Sequence, residues 1–293
     1  AGNAAASGAG GTAQGGGATG TSPTAVATIY NDGGILNTAY SPPPTATIVV
    51  ADTTLSIGET SLVTITFSEA VTGFTNADLT IANGTLTSVS SGDGGITWTA
   101  TFTPTASLSD TTNVITLDNT GVINGLGTAG VGTTNSNNYI VDTARPTATI
   151  VFTDTALRVG ETSLVTITFN EAVTALTNAD LTIANGTLTA VSSGDGGITW
   201  TGTFTPTASI TDATNLITLD NTGVSDLAGN AGSGTTDSNN YAIDTVRPTA
   251  TIVVTDTTLR VGETSLVTIT FSEAVSGFTN ADLTITNGTL TAV

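Results

Sequence analysis

The sequence predicts an all-β protein made of β-sandwich domains joined in tandem. Three observations carry this prediction: a block of 102 residues recurs, apolar and hydroxyl side chains alternate within it, and turn-forming residues separate the alternating segments. Alternation with period two sends successive side chains to opposite faces, so each segment is predicted to be a half-buried strand rather than a helix.

The repeat sets the predicted domain boundaries. The string Pro-Thr-Ala-Thr-Ile-Val begins at Pro44, Pro146 and Pro248, with 102 residues between successive copies. A period near 100 residues exceeds the roughly 20 to 50 of a solenoid unit and matches one small domain, so each copy is predicted to fold by itself. The predicted domains are 44–145, 146–247 and a truncated third copy, 248–293.

Two predicted segments precede the first copy. Residues 1–21 are rich in Gly, Ala, Ser and Thr and contain no charge, which predicts a flexible linker. Residues 22–43 contain two short alternating stretches, AVATIY and ILNTAY. We interpret 22–43 as either a remnant of a preceding domain or a free strand.

Within the first copy, the alternation predicts seven strands bounded by Gly, Pro, Asn, Asp or Ser. These are 46–51, 61–68, 78–82, 85–90, 96–103, 113–118 and 138–142. Seven short antiparallel strands in about 100 residues predict a seven-stranded immunoglobulin-like β-sandwich. The pair Asn83-Gly84 predicts a type I′ hairpin turn between the third and fourth strands. Trp98 and Trp200 lie on apolar strand faces and are predicted to be core residues.

The composition excludes several classes of function. The chain has no Cys, Met or His, four Arg as its only basic residues, and a net charge of −19. Without imidazole or thiol groups, most nucleophilic and acid–base chemistry is lost, so we predict no enzyme activity. A strongly acidic chain repels phosphate backbones, which argues against a nucleic-acid partner. No apolar run approaches the roughly 20 residues of a transmembrane segment.

Several motifs together resemble those of bacterial Ig-like domains that occur in tandem in large surface adhesins and biofilm-associated proteins. They are GETSLVTITFSEAV, TNADLTIANGTLT, GGITWTATFTP, TNVITLDNTGV and SDLAGNAG followed by NNYAIDTVRPT. The resemblance covers about 250 residues. It implies secretion, display at the bacterial cell surface or in the matrix, stacking of neighbouring repeats, and calcium at domain junctions in many relatives.

Carboxylates at one end of each sandwich are the candidate metal ligands. In a seven-stranded sandwich three loops share the end at which the preceding linker arrives, and Ca²⁺ takes six to eight oxygen ligands. The predicted ligands are Asp142, Glu171, Asp180 and Asp226, with Asp244, Glu273 and Asp282 at the following junction. For any single acidic loop residue, turn formation or solubility is the alternative interpretation, since Asp, Asn and Gly dominate turns without any metal. The first copy departs from the pattern, because Asn124, Thr128 and Asn135 stand where the second has Asp226, Asn230 and Asp237.

Two functions compete at this point. The first is a structural stalk or fibre module of a secreted bacterial adhesin, whose cell-surface or matrix partner would bind regions outside this chain. The second is a subunit of an extracellular filament in which copies of the chain exchange strands. A third class, a carbohydrate-binding module, would need exposed aromatic residues or diversified loops.

Overall fold

The computed structural model describes residues 26–31, 34–39 and 41–291. The predicted linker 1–21 therefore lies outside the described residues. The described chain divides into two compact units. The first unit comprises the described residues up to 53 with 60–103 and 112–139, and the second comprises 54–59, 104–111 and the described residues from 140 onward.

The described chain contains thirty strands and five 3-10 helices, and thirteen strands fall in each of the first two copies. The first copy contains β3 (Ala46–Val50), β4 (Thr54–Leu55), β5 (Ser61–Phe67), β6 (Val71–Thr72), β7 (Leu79–Ile81), β8 (Gly84–Leu86), β9 (Ser90–Ser91), β10 (Thr97–Pro104), β11 (Ser109–Asn113), β12 (Ile115–Asp118), β13 (Ile123–Asn124), β14 (Thr133–Asn135) and β15 (Tyr139–Asp142). Before them, β1 (Val26–Asn31) and β2 (Gly34–Ala39) pair as an antiparallel hairpin, so neither is a free strand.

The second copy repeats this order. It contains β16 (Ala148–Phe152), β17 (Ala156–Arg158), β18 (Ser163–Phe169), β19 (Val173–Thr174), β20 (Leu181–Ile183), β21 (Gly186–Leu188), β22 (Ser192–Ser193), β23 (Thr199–Pro206), β24 (Thr211–Asn215), β25 (Ile217–Asp220), β26 (Ser225–Asp226), β27 (Thr235–Asp237) and β28 (Tyr241–Asp244). The third copy contains β29 (Ala250–Val254) and β30 (Val267–Phe271). The 3-10 helices are η1 (Asn76–Asp78), η2 (Asn119–Gly121), η3 (Asn178–Asp180), η4 (Asn221–Gly223) and η5 (Asn280–Asp282).

The first unit contains three sheets of the first copy: β3-β5-β10-β8 with β9 beside β10, β14-β12-β7, and β13-β6. The short sheet β11-β15-β4 falls mainly in the second unit. The second copy has the same set: β16-β18-β23-β21 with β22, β20-β25-β27, β19-β26, and β17-β28-β24. Strands β17 and β28 run parallel, as do β4 and β15.

Alternating burial along the strands confirms the predicted faces. In β5, Val63, Ile65 and Phe67 are buried, while their neighbours Leu62 and Thr66 are exposed. The corresponding residues of the second copy form one core cluster with Phe204, Tyr241 and other buried apolar side chains. Trp200 packs against this cluster but remains partly exposed, so it lies at the edge of the core rather than inside it.

The predicted seven-strand count is not confirmed. Each predicted strand has a counterpart, but six further short strands and two 3-10 turns occur in each of the first two copies. Polar side chains cap these turns locally. Thr75, for example, accepts a hydrogen bond from the Ala77 amide while Asp78 accepts one from the Thr75 amide. Such side-chain hydrogen bonds compete with strand pairing and divide the chain into shorter strands.

The prediction of a type I′ hairpin at Asn83-Gly84 is wrong. Strand β7 pairs with β12 and β8 joins the sheet of β10, so the chain crosses between two sheets at this point. Of the two turn residues only Asn83 has a positive φ, of 51°, whereas a type I′ turn requires a positive φ at both. Gly84 is required for another reason, because a Cβ atom there would lie 2.3 Å from the ring of Phe102.

Candidate functional site

Three of the predicted carboxylates converge in the second unit. Asp142 ends β15, Glu171 follows β18, and Asp226 ends β26. One carboxylate oxygen from each lies within 4.8 Å of the other two. Asp226 is buried, and the other two are partly buried. The result is an all-oxygen group of three anionic side chains.

Asn230 holds Asp226 in place. Its backbone amide donates to Oδ1 of Asp226 at 2.8 Å, and its side-chain Nδ2 donates to Oδ2 at 2.8 Å. Gly229 makes the tight loop between them possible, because its φ is +88°, a conformation that side chains disfavour. Burying an ionised carboxylate is unfavourable without hydrogen-bond partners, and the two hydrogen bonds from Asn230 provide such partners for Asp226.

Asn230 also joins this loop to the end of the β4–β15 ladder. Its Nδ2 donates to the Asp142 carbonyl at 2.8 Å, and its Oδ1 accepts from the Ile57 amide at 2.7 Å. The guanidinium of Arg145 donates to the carbonyl of Ala231. These contacts place Asp142 beside the loop that carries Asp226.

The three carboxylates are mutually unfavourable in the absence of a cation. Among the buried side-chain nitrogen and oxygen atoms of the described residues, Oδ1 of Asp142 is the one that has no hydrogen-bond partner. Desolvation, together with the neighbouring Asp226 carboxylate, raises the pKa of Asp142. Desolvation and the charges of Asp226 and Asp142 raise the pKa of Glu171. Both effects disfavour the ionised form, which a bound cation would favour.

The corresponding end of the first copy is arranged differently. There Asn124 stands in place of Asp226, and its Nδ2 donates to Oε1 of Glu69 at 3.2 Å and to Oγ of Ser41 at 2.6 Å. An amide N–H₂ group thus provides the partly positive neighbour that the Glu69 carboxylate needs. In the sequence, Tyr40 occupies the position of Asp142. The first copy therefore lacks two of the three carboxylates.

The other four predicted ligands lie outside the cluster. Asp180 and Asp282 cap the 3-10 helices η3 and η5, where each accepts hydrogen bonds from the preceding Thr177 or Thr279. Asp244 accepts a hydrogen bond from the hydroxyl of Thr211 at 2.9 Å. Glu273 is exposed. Metal binding by any of the seven residues stays a prediction.

Several acidic residues have the local turn role that was considered as the alternative. The Asp195 carboxylate accepts from the amide of Thr199 and the hydroxyl of Ser193, and its pKa falls to about 2. Asp93 is held in the same way in the first copy, with a pKa of about 2. For these residues, hydrogen bonding within the turn accounts for the acidic side chain.

The raised pKa values predict how stability depends on pH when calcium is removed. A raised folded-state pKa gives a stability contribution that is fully present below the unfolded-state pKa and is lost as pH rises through the folded-state value. We therefore expect the melting temperature of the second unit in EDTA to rise as pH falls from 7 towards 4.5, the ordinary value for Glu171.

Glu171→Gln is the control for this prediction, because it removes one titrating group and should flatten the response. A melting temperature in EDTA that falls throughout this range would contradict the prediction. Below pH 3.8 the sign reverses, since the lowered pKa of Asp195, which lies in the second unit, gives a contribution that is lost as pH falls towards about 2.

The fold and the site together define a tandem β-sandwich repeat protein with carboxylates gathered beside a repeat boundary. The chain belongs to the bacterial Ig-like domain family, whose model matches residues 41–141, 142–243 and 244–293. These boundaries begin three or four residues before the prolines that mark the predicted domains. No curated protein matches the chain.

Solved structures similar to the chain include two bacterial adhesins. One is FdeC, an Escherichia coli adhesin, with 15% identity over 82% of this chain and 79% of that chain, at a TM-score of 0.29. Another is the Yersinia pseudotuberculosis adhesin InvE, with 18% identity over 67% of this chain and 58% of that chain, at a TM-score of 0.28. With TM-scores this far below 0.5, neither similarity carries a conclusion about the function of this chain.

Within the described part of the chain, no helix has the length and apolar character needed to cross a bilayer.

Proposed function

We propose that the chain is a non-catalytic spacer segment of a secreted bacterial surface adhesin. The observation that carries this proposal is the family match to three consecutive Ig-like repeats. The near identity of the copies supports it, because a set of ligand-binding modules would be expected to differ in their loops. The hydrogen bonds of Asn230 to Ile57 and Asp142 support it further, since they tie one copy to segments of the preceding one.

The spacer role is tested against the filament alternative by the assembly state of the full chain. Strand exchange is favoured by one feature, the exposed inner face of the third copy, where Ile252 is 58% exposed and Val254 is 42% exposed. The pairing of β1 with β2 opposes it, because these strands already have partners. We expect light scattering and negative-stain electron microscopy to show separate single chains. Ordered filaments of one repeating subunit would replace the spacer proposal with the filament.

We further propose that Asp142, Glu171 and Asp226 hold a structural Ca²⁺ ion. Their donor set suits a hard cation, since all of it is oxygen and anionic. Two observations support a cation at this site. The buried Oδ1 of Asp142 has no hydrogen-bond partner, and the pKa values of Asp142 and Glu171 are raised. The ion would neutralise the repulsion and fasten β15 to the loops after β18 and β26.

Calcium is expected to stabilise the second unit against heat. A ligand at 100 times its dissociation constant adds about 2.7 kcal/mol to the free energy of unfolding. For a domain of about 100 residues this corresponds to a rise of roughly 10 °C in melting temperature. Differential scanning calorimetry in Ca²⁺ and in EDTA measures the rise, and identical melting in both would contradict the calcium proposal.

Isosteric variants assign the effect to the cluster. Glu171→Gln and Asp226→Asn should each abolish most of the calcium-dependent rise. Glu69→Gln, at the corresponding position of the first copy, is the matched control and should leave the rise unchanged, because Asn124 already satisfies that carboxylate. An equal loss in all three variants would locate the ion elsewhere.

A further inference from the structure

An open pocket lies at the far end of the second copy. Its lining includes Val159, Glu161, Thr205, Val246 and Arg247, all within the second unit. It thus combines an exposed apolar side chain, hydroxyl groups, a carboxylate and a guanidinium group. No part of the described third copy lines it.

The equivalent surface of the first copy shows what such a pocket can hold. Subtracting 102 from the eleven lining positions gives the same residue type at nine of them, the exceptions being Ile57 for Val159 and Ala144 for Val246. In the second unit, Ile57 and Arg145 bind the loop that contains Asn230 and Ala231. The surface that binds a loop is therefore almost unchanged at the end of the second copy.

The two ladder ends differ in a way that identifies the group to be bound. The parallel pairing of β17 with β28 continues to Arg158 opposite Asp244, whereas that of β4 with β15 stops at Leu55 opposite Val141. In the latter ladder the side-chain amide of Asn230 lies between the next amide and carbonyl groups, accepting from one and donating to the other. A primary amide can do both, because it offers an oxygen acceptor and N–H donors.

We propose that the pocket at the end of the second copy binds the Asn-Ala loop of a complete Ig-like repeat that follows it. The Asn side chain would enter the end of the β17–β28 ladder, accepting from the Val159 amide and donating to the Asp244 carbonyl. The Arg247 guanidinium would donate to the carbonyl of the residue after that Asn, as Arg145 does to Ala231. A loop with Thr at the position of Asn230, as the first copy has at Thr128, offers no side-chain amide that could take the place of the backbone hydrogen bond at the end of the ladder.

This inference rests on the tandem role proposed above but not on calcium. The test uses the full chain with residues 192–247 appended after Val293, which completes the third copy in the repeat register. Trp98 and the appended Trp are changed to Phe, so that Trp200 reports on unfolding of the second copy. Urea denaturation is then compared for chains of both lengths with and without Arg247→Ala.

We expect Arg247→Ala to raise the unfolding equilibrium constant of the second copy about tenfold to a hundredfold in the extended chain, the effect of one charged hydrogen bond. In the original chain it should have almost no effect. Changing the appended copy of Asn230 to Ala should remove the difference between the two lengths. Equal effects of Arg247→Ala in both lengths would overturn the proposal while leaving the calcium and assembly results unaffected.

A variant of the original chain tests separately whether the Asn side chain replaces a backbone hydrogen bond at the end of the ladder. This test does not require the appended copy to fold. Asn230→Ala should let the Ile57 amide pair directly with the Asp142 carbonyl, as the register of β17 with β28 indicates for the second copy. We expect hydrogen exchange at the Ile57 amide to remain slow in this variant. Hydrogen exchange at the rate of an unprotected amide would show that the Ile57 amide does not pair with the Asp142 carbonyl when the Asn side chain is removed. That result would overturn the proposal that the side chain replaces this backbone hydrogen bond.

Discussion

Phe204→Ala is expected to lower the free energy of unfolding of the second copy by about 3 to 5 kcal/mol, the range for removing a large aromatic side chain from a core. Phe204 is fully buried, and its ring makes edge contacts with Phe152 and Tyr241 at centroid distances of 5.2 and 5.0 Å. Because a domain is stable by only about 5 to 15 kcal/mol, much of the second copy should be unfolded in mild denaturant.

Urea denaturation followed by Trp200 fluorescence, in a Trp98→Phe background, measures this loss. Leu164→Ala is the matched control. Leu164 lies in β18 with its side chain 48% exposed, so its truncation should change the free energy of unfolding by no more than about 0.5 kcal/mol. Similar effects of the two substitutions would mean that Phe204 does not support the core as its packing indicates.

Gly197→Ala should destabilise the second copy by about 3 kcal/mol or more, through the backbone rather than the core. Gly197 has a φ of +102°, and a Cβ atom there would lie 2.4 Å from the Val173 carbonyl oxygen. An unfavourable backbone conformation costs about 1 to 3 kcal/mol by itself. Relief of the clash would also disturb the hydrogen bond from the Val173 amide to the Gly197 carbonyl.

The same turn provides the control for Gly197. A Cβ atom at Gly194 would have no other atom within 4 Å, and the φ of Gly194 is not positive, so Gly194→Ala should be neutral or stabilising by up to about 1 kcal/mol. Thermal melting followed by circular dichroism distinguishes the two. A small effect at both glycines would show that the turn can relax around a side chain.

Local chemistry made much of the fold predictable. The alternation of Val63, Ile65 and Phe67 with polar neighbours specifies a strand and its buried face, because side chains on a strand alternate whatever the strand packs against. The turn at Asn83-Gly84 was not predictable in this way. The same two residues suit a hairpin and a crossing between sheets, and the partner strands β12 and β10 decide between them.

The candidate site was predictable only in part. Residue type and loop position predicted seven carboxylate ligands. Asp180 and Asp244 instead accept hydrogen bonds from neighbouring threonines. Of the seven, only Asp142, Glu171 and Asp226 lie together. The part played by Asn230 was missed. An Asn in a Gly-rich loop reads as an ordinary turn residue. Nothing in its sequence neighbourhood indicates that its amide extends a ladder formed by residues 88 and 173 positions away.

The sequence by itself determined the repeat of 102 residues, the alternating strand faces, the acidic charge and the membership of the bacterial Ig-like domain family. The first three follow from composition and from spacing along one chain, and the family membership follows from the match of the family model to all three copies. Only the tertiary structure decided which carboxylates converge and which loop binds the preceding strands. The physical reason is that charge repulsion and hydrogen bonding depend on separations of a few ångströms through space, and these are set by how strands from distant parts of the chain pair.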